Sequence, residues 1–145
     1  MRPVDEIIIH CTDTRPDWWE GLPATAKTAE VRRWHVEERK WSDIGYHYTI
    51  DRDGSITPGR PLERDGAHCR GHNKNTIGIA LFGGYGSSED DGFLKNFTEQ
   101  QMASLQDLVS QLKENYGTIK KTSGHNDYDK KACPGFRVSR YFKSV

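Results

Sequence analysis

The chain has 145 residues, of which 29% are charged, and its formal net charge is +0. This length fits one domain with a real core, and the balanced charge offers no basic surface to nucleic acid or an anionic membrane. No apolar run approaches a membrane span, and three scattered cysteines are too few for a disulfide framework. The first residues lead into an apolar strand without a signal-type core, so we expect synthesis and initial retention in a cytoplasm.

Strands and helices alternate along the first half of the chain. A β-branched apolar run over 6–11 predicts a buried strand that ends near His10. Apolar residues at helical spacing predict a helix over 28–39. An alternating strand at 46–50 then leads through an Asp-Gly turn into a hairpin strand at 55–57.

The second half continues the same mixture of elements. A strand is predicted at 75–82, and a capping box at 98–101 opens the clearest helix, whose apolar stripe runs to about residue 116. A short strand at 118–122 and a short helix at 137–142 complete the chain. These elements predict an α/β fold, a single domain in which a central mixed β-sheet is flanked by helices.

Three potential metal ligands lie at or just after strand ends. His10 ends the first strand, His125 follows the last one, and Cys133 lies in the adjoining loop. Two imidazoles, one thiolate and an open fourth position are a donor set for catalytic Zn²⁺, which lowers the pKa of its bound water to about 7. The pattern alone leaves three alternatives: a satisfied core histidine at His10, a small buried hydrophobe at Cys133, or Cys133 as a nucleophile with His125 as its base.

An ordered set of short motifs runs nearly from end to end of the chain. The motifs are IIIHC at 7–11, VRRWH at 31–35, WSDIGYHY at 41–48, DRDG at 51–54, GAHCRGHN at 66–73, NTIGI at 75–79, FTEQQ at 97–101 and KACPGF at 131–136. Each motif is weak alone, but the ordered set is highly specific. It resembles the type-2 zinc-dependent N-acetylmuramoyl-L-alanine amidases, especially small phage endolysins of the T7 lysozyme kind, and implies one amidase domain over residues 1–145.

The resemblance implies a role for each of five residues. The family's zinc ligands fall on His10, His125 and Cys133, and its catalytic tyrosine and lysine fall on Tyr46 and Lys131. A protonated Lys131 would donate to the oxyanion that forms when the amide is attacked. The phenol of Tyr46 would orient the attacking water, help to move its proton, or donate to the same oxyanion.

The resemblance also implies a sixth site residue, a substrate and a setting. The family places the glycine-rich segment around His68 near the substrate groove, which implies a substrate contact, with a plain loop histidine as the alternative. The implied reaction is hydrolysis of the amide between N-acetylmuramic acid and L-alanine in peptidoglycan. We expect a monomeric phage endolysin, made in the host cytoplasm and reaching the wall in the periplasm with the help of a holin.

Two other functions remain open at this point. One is a cytosolic amidase that recycles muropeptides, and the other is a module that binds peptidoglycan without cutting it. Non-catalytic relatives usually lack the cysteine ligand, so the presence of Cys133 favours an enzyme.

Overall fold

A computed structural model describes residues 2–143 and arranges them around one mixed β-sheet. Its strands are β1 (Glu6–Cys11), β2 (Tyr48–Ile50), β3 (Ile56–Pro58), β4 (Thr76–Leu81) and β5 (Lys121–Gly124). Within the described residues the sheet order is β3-β2-β4-β1-β5, with β3 antiparallel to β2 and all other pairs parallel. This topology confirms the α/β fold with a central mixed sheet that the sequence predicts.

Helices flank the sheet, and the longest begins where the sequence places its start. The helices are α1 (Ala24–Arg33), which continues into a π-helical turn at Trp34–Glu38, α2 (Phe93–Asn96) and α3 (Glu99–Asn115). Thr98 Oγ1 accepts from the Gln101 N–H, and the Gln101 side chain accepts from the Thr98 N–H, which is the predicted capping box. Between residues 2 and 143, no helix is both long and apolar enough to cross a bilayer.

The main apolar core lies between the sheet and α3. It includes alternate residues of β1 and β4 and the predicted stripe of α3: Ile7, Ile9, Ile77, Ile79, Leu105, Leu108, Val109 and Leu112. Because side chains alternate along a strand, the His10 side chain points to the opposite face of β1 from Ile9. The core therefore fixes one face of β1 and leaves His10 on the other face for a site.

The first helix starts earlier than its apolar pattern predicts. Its first turn begins at Ala24 and buries Lys27, whose ammonium pairs with the carboxylate of Asp51 at 3.0 Å. A search for apolar periodicity misses this turn because the buried side chain is charged. The prediction of a start at residue 28 was therefore wrong by one turn.

Two short elements also differ from the prediction. The strand expected at 118–122 lies at Lys121–Gly124, because its bounds are set by pairing with β1, where Glu6 lies opposite Lys121. The helix expected at 137–142 is a single 3₁₀ turn, Val138–Arg140.

Buried histidines make this fold sensitive to acid. His47 is 1% exposed, and its Nδ1 accepts from the Gly78 N–H at 3.0 Å. Burial lowers the pKa of His47 from 6.5 to about 4, so between these values the unfolded chain binds a proton that the folded chain excludes. We expect the free energy of unfolding of the metal-free protein to be highest above pH 6.5 and to fall as the pH drops towards 4.

Urea unfolding of the metal-free protein across this pH range measures the effect. His47→Gln should make the decline shallower than in the wild type. His72→Gln is the control for loss of a histidine, since His72 is only partly buried and stacks on Tyr128 with ring centroids 3.8 Å apart. A free energy of unfolding that does not vary with pH would contradict the expectation.

Candidate metal centre

Parallel pairing brings two histidines together at the carboxyl edge of the sheet. In the ladder between β1 and β5, Ile9 lies opposite Gly124, so the next residues, His10 and His125, are neighbours. Their Nδ1 atoms are 3.2 Å apart. Open α/β sheets bind ligands at the carboxyl ends of their strands, so this edge is a natural place for a site.

The loop after β5 adds a thiol to the two imidazoles. Cys133 Sγ accepts from the Cys11 N–H at 3.3 Å and lies 3.9 Å from His10 Nδ1. The ligand atoms of His10, His125 and Cys133 all lie within 4.8 Å of one another. Atoms about 2.0–2.3 Å from a tetrahedral zinc ion stand roughly 3.3–3.6 Å apart. The distances from His10 Nδ1 to His125 Nδ1, 3.2 Å, and to Cys133 Sγ, 3.9 Å, are close to this spacing, so the three side chains could hold one metal ion after a small adjustment.

A carboxylate next to His125 determines which of its two ring nitrogens is free to bind a metal. His125 Nε2 lies 3.1 Å from Asp129 Oδ2. A carboxylate only accepts, so Nε2 carries the proton and Nδ1 keeps its lone pair. Lone pairs on Nδ1 of both His10 and His125 would repel at 3.2 Å unless a cation lay between them. The donor set is therefore suited to a metal ion.

Burial sets the protonation of the ligands before a metal binds. Burial, together with neighbouring His68 and His125, holds the pKa of His10 well below 6.5, and burial also lowers the pKa of His125. A hydrogen bond with Cys11, together with burial, raises the pKa of the Cys133 thiol well above 9.0. The two imidazoles are thus neutral and could bind a metal directly, whereas the thiol would have to release a proton to do so.

All the site residues predicted from the sequence line one cavity of about 570 Å³. Beside His10, His125 and Cys133 it is lined by Tyr46, His68 and Lys131. The ring centroid of Tyr46 lies 5.3 Å from that of His10, and burial raises the pKa of its phenol above 10.0, so the hydroxyl keeps its proton at neutral pH. The cavity thus places a metal position, a phenol and a lysine side chain together.

A further histidine, His35, also lines this cavity. Its Nδ1 accepts from the Gly45 N–H at 2.9 Å. Its ring centroid is also 5.5 Å from that of Tyr46. His35 therefore supports the wall that carries the phenol.

Two residues that contact the histidines of the site were not predicted from the sequence. Asp129 lies four residues after His125, and that spacing near a short helical turn was the available signal. Thr76 lies on β4, with its Oγ1 3.1 Å from His68 Nε2. No local pattern indicates this second contact, because it depends on how the 66–73 loop folds back onto β4.

Comparison with known proteins agrees with this fold and this site. A family model described as N-acetylmuramoyl-L-alanine amidase matches residues 1–136. The chain belongs to the N-acetylmuramoyl-L-alanine amidase family.

Named relatives and solved structures extend this result. The endolysin of Escherichia phage T7 is 38% identical over 141 residues, covering 96% of this chain and 85% of its own length. The endolysin of Klebsiella phage KP32 is 35% identical over 138 residues, covering 95% and 85%. The amidase LysC from Clostridium intestinale superposes with a TM-score of 0.75 at 29% identity, covering 96% of this chain and 83% of that one.

Substitution of the cysteines tests the composition of the metal centre. Cys133→Ser should lose its metal at neutral pH, because a serine hydroxyl does not ionise there as a thiol ligand does. Cys11→Ser should keep the metal, since the backbone N–H of Cys11, which contacts Cys133 Sγ, survives the change. Metal content after dialysis, measured by mass spectrometry, distinguishes the two variants. Equal content in both would remove Cys133 from the ligand set.

Proposed function

We propose that this protein is a zinc-dependent endolysin that cleaves the amide between N-acetylmuramic acid and L-alanine in peptidoglycan. The observation that carries this proposal is the set of three ligand atoms within 4.8 Å of one another, in a cavity shared with Tyr46 and Lys131. Similarity to phage endolysins over 96% of the chain supports the lytic role.

Zinc is the metal that best suits this donor set. Two imidazoles and one thiolate are typical zinc ligands, and three protein ligands leave a position open, as catalytic zinc sites require. We propose His10, His125 and Cys133 as the residues that hold it. When bound there, zinc supplies Lewis-acid chemistry that activates water near neutral pH and polarises a carbonyl group.

Lys131 and Tyr46 would act on the oxygen of the scissile amide. The ammonium of Lys131 only donates hydrogen bonds, so it would stabilise negative charge as it develops on the carbonyl oxygen. The phenol of Tyr46 keeps its proton because burial raises its pKa, so it would donate to the same oxygen or orient the attacking water. We retain the substrate contact of His68 as a proposal, made by the part of its ring that lines the cavity.

Two other functions share this fold. A muropeptide-recycling amidase would have the same metal site but prefer soluble fragments to intact sacculi. A non-catalytic binding module has no need of a metal ligand, so the position of Cys133 beside both histidines favours the enzyme.

The oligomeric state and the cellular locations that we propose follow from the endolysin role. The protein would be a monomer made in the host cytoplasm, and it would reach peptidoglycan in the periplasm when a holin opens the inner membrane. Sedimentation velocity tests the monomer, and lysis assays with and without a holin test the route.

Removal of the metal tests the proposed reaction. A chelator should abolish the release of stem peptides from purified sacculi, and added zinc should restore it. Mass spectrometry of the digest should find intact stem peptides with a free N-terminal alanine, separated from intact glycan strands. Full activity in the metal-free protein, or cleavage of the glycan chain itself, would refute the proposal.

Adjacent lysines provide a matched test of the oxyanion role. Lys131→Ala should keep zinc but lower kcat by about 100- to 1,000-fold, the usual cost of losing one oxyanion donor. Lys130→Ala is the control, because Lys130 lies outside the residues that line the cavity. Tyr46→Phe, in the same assay, measures the contribution of the phenol hydroxyl. Wild-type kcat in Lys131→Ala would exclude this lysine from the chemistry.

A further inference from the structure

A buried chain of hydrogen bonds runs from His10 to the backbone behind it. His10 Nε2 lies 2.8 Å from His68 Nδ1, and His68 Nε2 lies 3.1 Å from Thr76 Oγ1. The Thr76 hydroxyl in turn faces two backbone carbonyl oxygens, that of His72 at 2.7 Å and that of Asn73 at 3.2 Å. His10, His68 and Thr76 are 1%, 7% and 3% exposed, so solvent does not compete for these links.

The backbone carbonyl oxygens at the end of this series of hydrogen bonds determine which group donates and which accepts in each bond. A carbonyl oxygen only accepts, so the Thr76 hydroxyl uses its single proton on the backbone and accepts from His68. His68 Nε2 then carries the N–H, and Nδ1 of the neutral ring accepts from His10. His10 therefore donates from Nε2 and keeps a lone pair on Nδ1, the atom that faces His125.

The opposite direction is incompatible with metal binding. If the Thr76 hydroxyl donated to His68, the ring proton of His68 would move to Nδ1, and His10 Nε2 would have to accept it. The single proton of neutral His10 would then lie on Nδ1, where a metal needs a lone pair. It would also leave two backbone carbonyl oxygens without the hydroxyl proton.

The ring of His68 fits into a space that two glycines leave open. A Cβ atom on Gly78 would lie 2.5 Å from His68 Cγ, and one on Gly66 would lie 2.6 Å from His68 Cδ2. The side chain of Asn73 also accepts from the His68 N–H at 2.9 Å. Packing and the backbone therefore set where the ring lies, and the hydrogen bonds decide which nitrogen carries its proton.

We infer that Thr76, acting through His68, holds His10 in the tautomer that presents Nδ1 to the metal. Thr76 and His68 are positioning residues, because the ligand atoms come from His10, His125 and Cys133. The inference rests on the proposed zinc site. It assigns His68 a role beyond the predicted substrate contact, since protein partners occupy both of its ring nitrogens.

We call the series of hydrogen bonds from Thr76 through His68 to His10 the relay. Three threonine variants test it by measurement of zinc affinity. Thr76→Val replaces the hydroxyl with a methyl group, and the zinc dissociation constant should rise about 10- to 100-fold, as is usual when a ligand loses its outer partner. Thr76→Ser keeps a hydroxyl and should bind zinc as the wild type does. Thr49→Val is the control for loss of a buried hydroxyl in the same sheet, because Thr49 Oγ1 pairs with Thr28 Oγ1 at 2.8 Å and lies outside the relay. Competition with a chromogenic chelator measures all three.

The tautomer itself can be observed in the metal-free protein. Correlation of imidazole ¹H and ¹⁵N nuclei by NMR should place the His10 proton on Nε2 in the wild type and on both nitrogens in Thr76→Val. His68→Phe keeps a ring in the same space and removes both nitrogens, so it should reproduce both effects. This variant also serves if Thr76→Val fails to fold.

Each outcome decides for or against the relay. Wild-type zinc affinity and an unchanged His10 tautomer in Thr76→Val would overturn it. Full zinc affinity with lost turnover in His68→Phe would also overturn it, since His68 would then act on the substrate alone. A wild-type protein that binds no zinc would instead refute the proposed function, so the two failures are distinguishable.

Discussion

The parallel register between β1 and β5 is the constraint on which the site depends. Because Ile9 of β1 lies opposite Gly124 of β5, the residue that follows each of them is a histidine. The two imidazoles therefore meet at the carboxyl edge of the sheet. A shift of one residue in β1 would exchange the faces of Ile9 and His10, which would bury an imidazole in the apolar core. Burial of Ile9 against α3 therefore protects the metal site, because the same register satisfies both.

The two histidines proposed as metal ligands are oriented by different kinds of hydrogen-bond partner. His125 is held by Asp129, whose side chain is 46% exposed, so solvent screens this contact and the carboxylate retains some freedom. His10 is held by His68 and Thr76, which are buried and neutral and end on the backbone. A buried polar group without a partner costs about 1–3 kcal/mol, so the closed chain behind His10 strongly favours one arrangement. We interpret His10 as the rigid ligand and His125 as the more adaptable one.

The loop after β5 carries a proposed metal ligand and a proposed catalytic residue close together in sequence. Lys131 precedes Cys133 by two residues, and both line the cavity. Any change that moves the thiol therefore also moves the ammonium.

Several elements of the fold are recorded in local patterns of the sequence. The apolar run of β1 and the capping box and stripe of α3 could be predicted from neighbouring residues. His10, His125 and Cys133 stood out as potential ligands at strand ends, whereas Tyr46 and Lys131 were singled out only by resemblance to the amidase family. The early start of α1, which depends on the pairing of Lys27 with Asp51, and the bounds of β5, which depend on pairing with β1, could not be predicted from local patterns. The relay through His68 and Thr76 also escaped prediction, because His10 and His68 are 58 residues apart and meet only when the sheet has formed. Periodicity and motifs describe neighbours along the chain, whereas hydrogen bonds between buried side chains depend on strand register and on the space that glycines leave open.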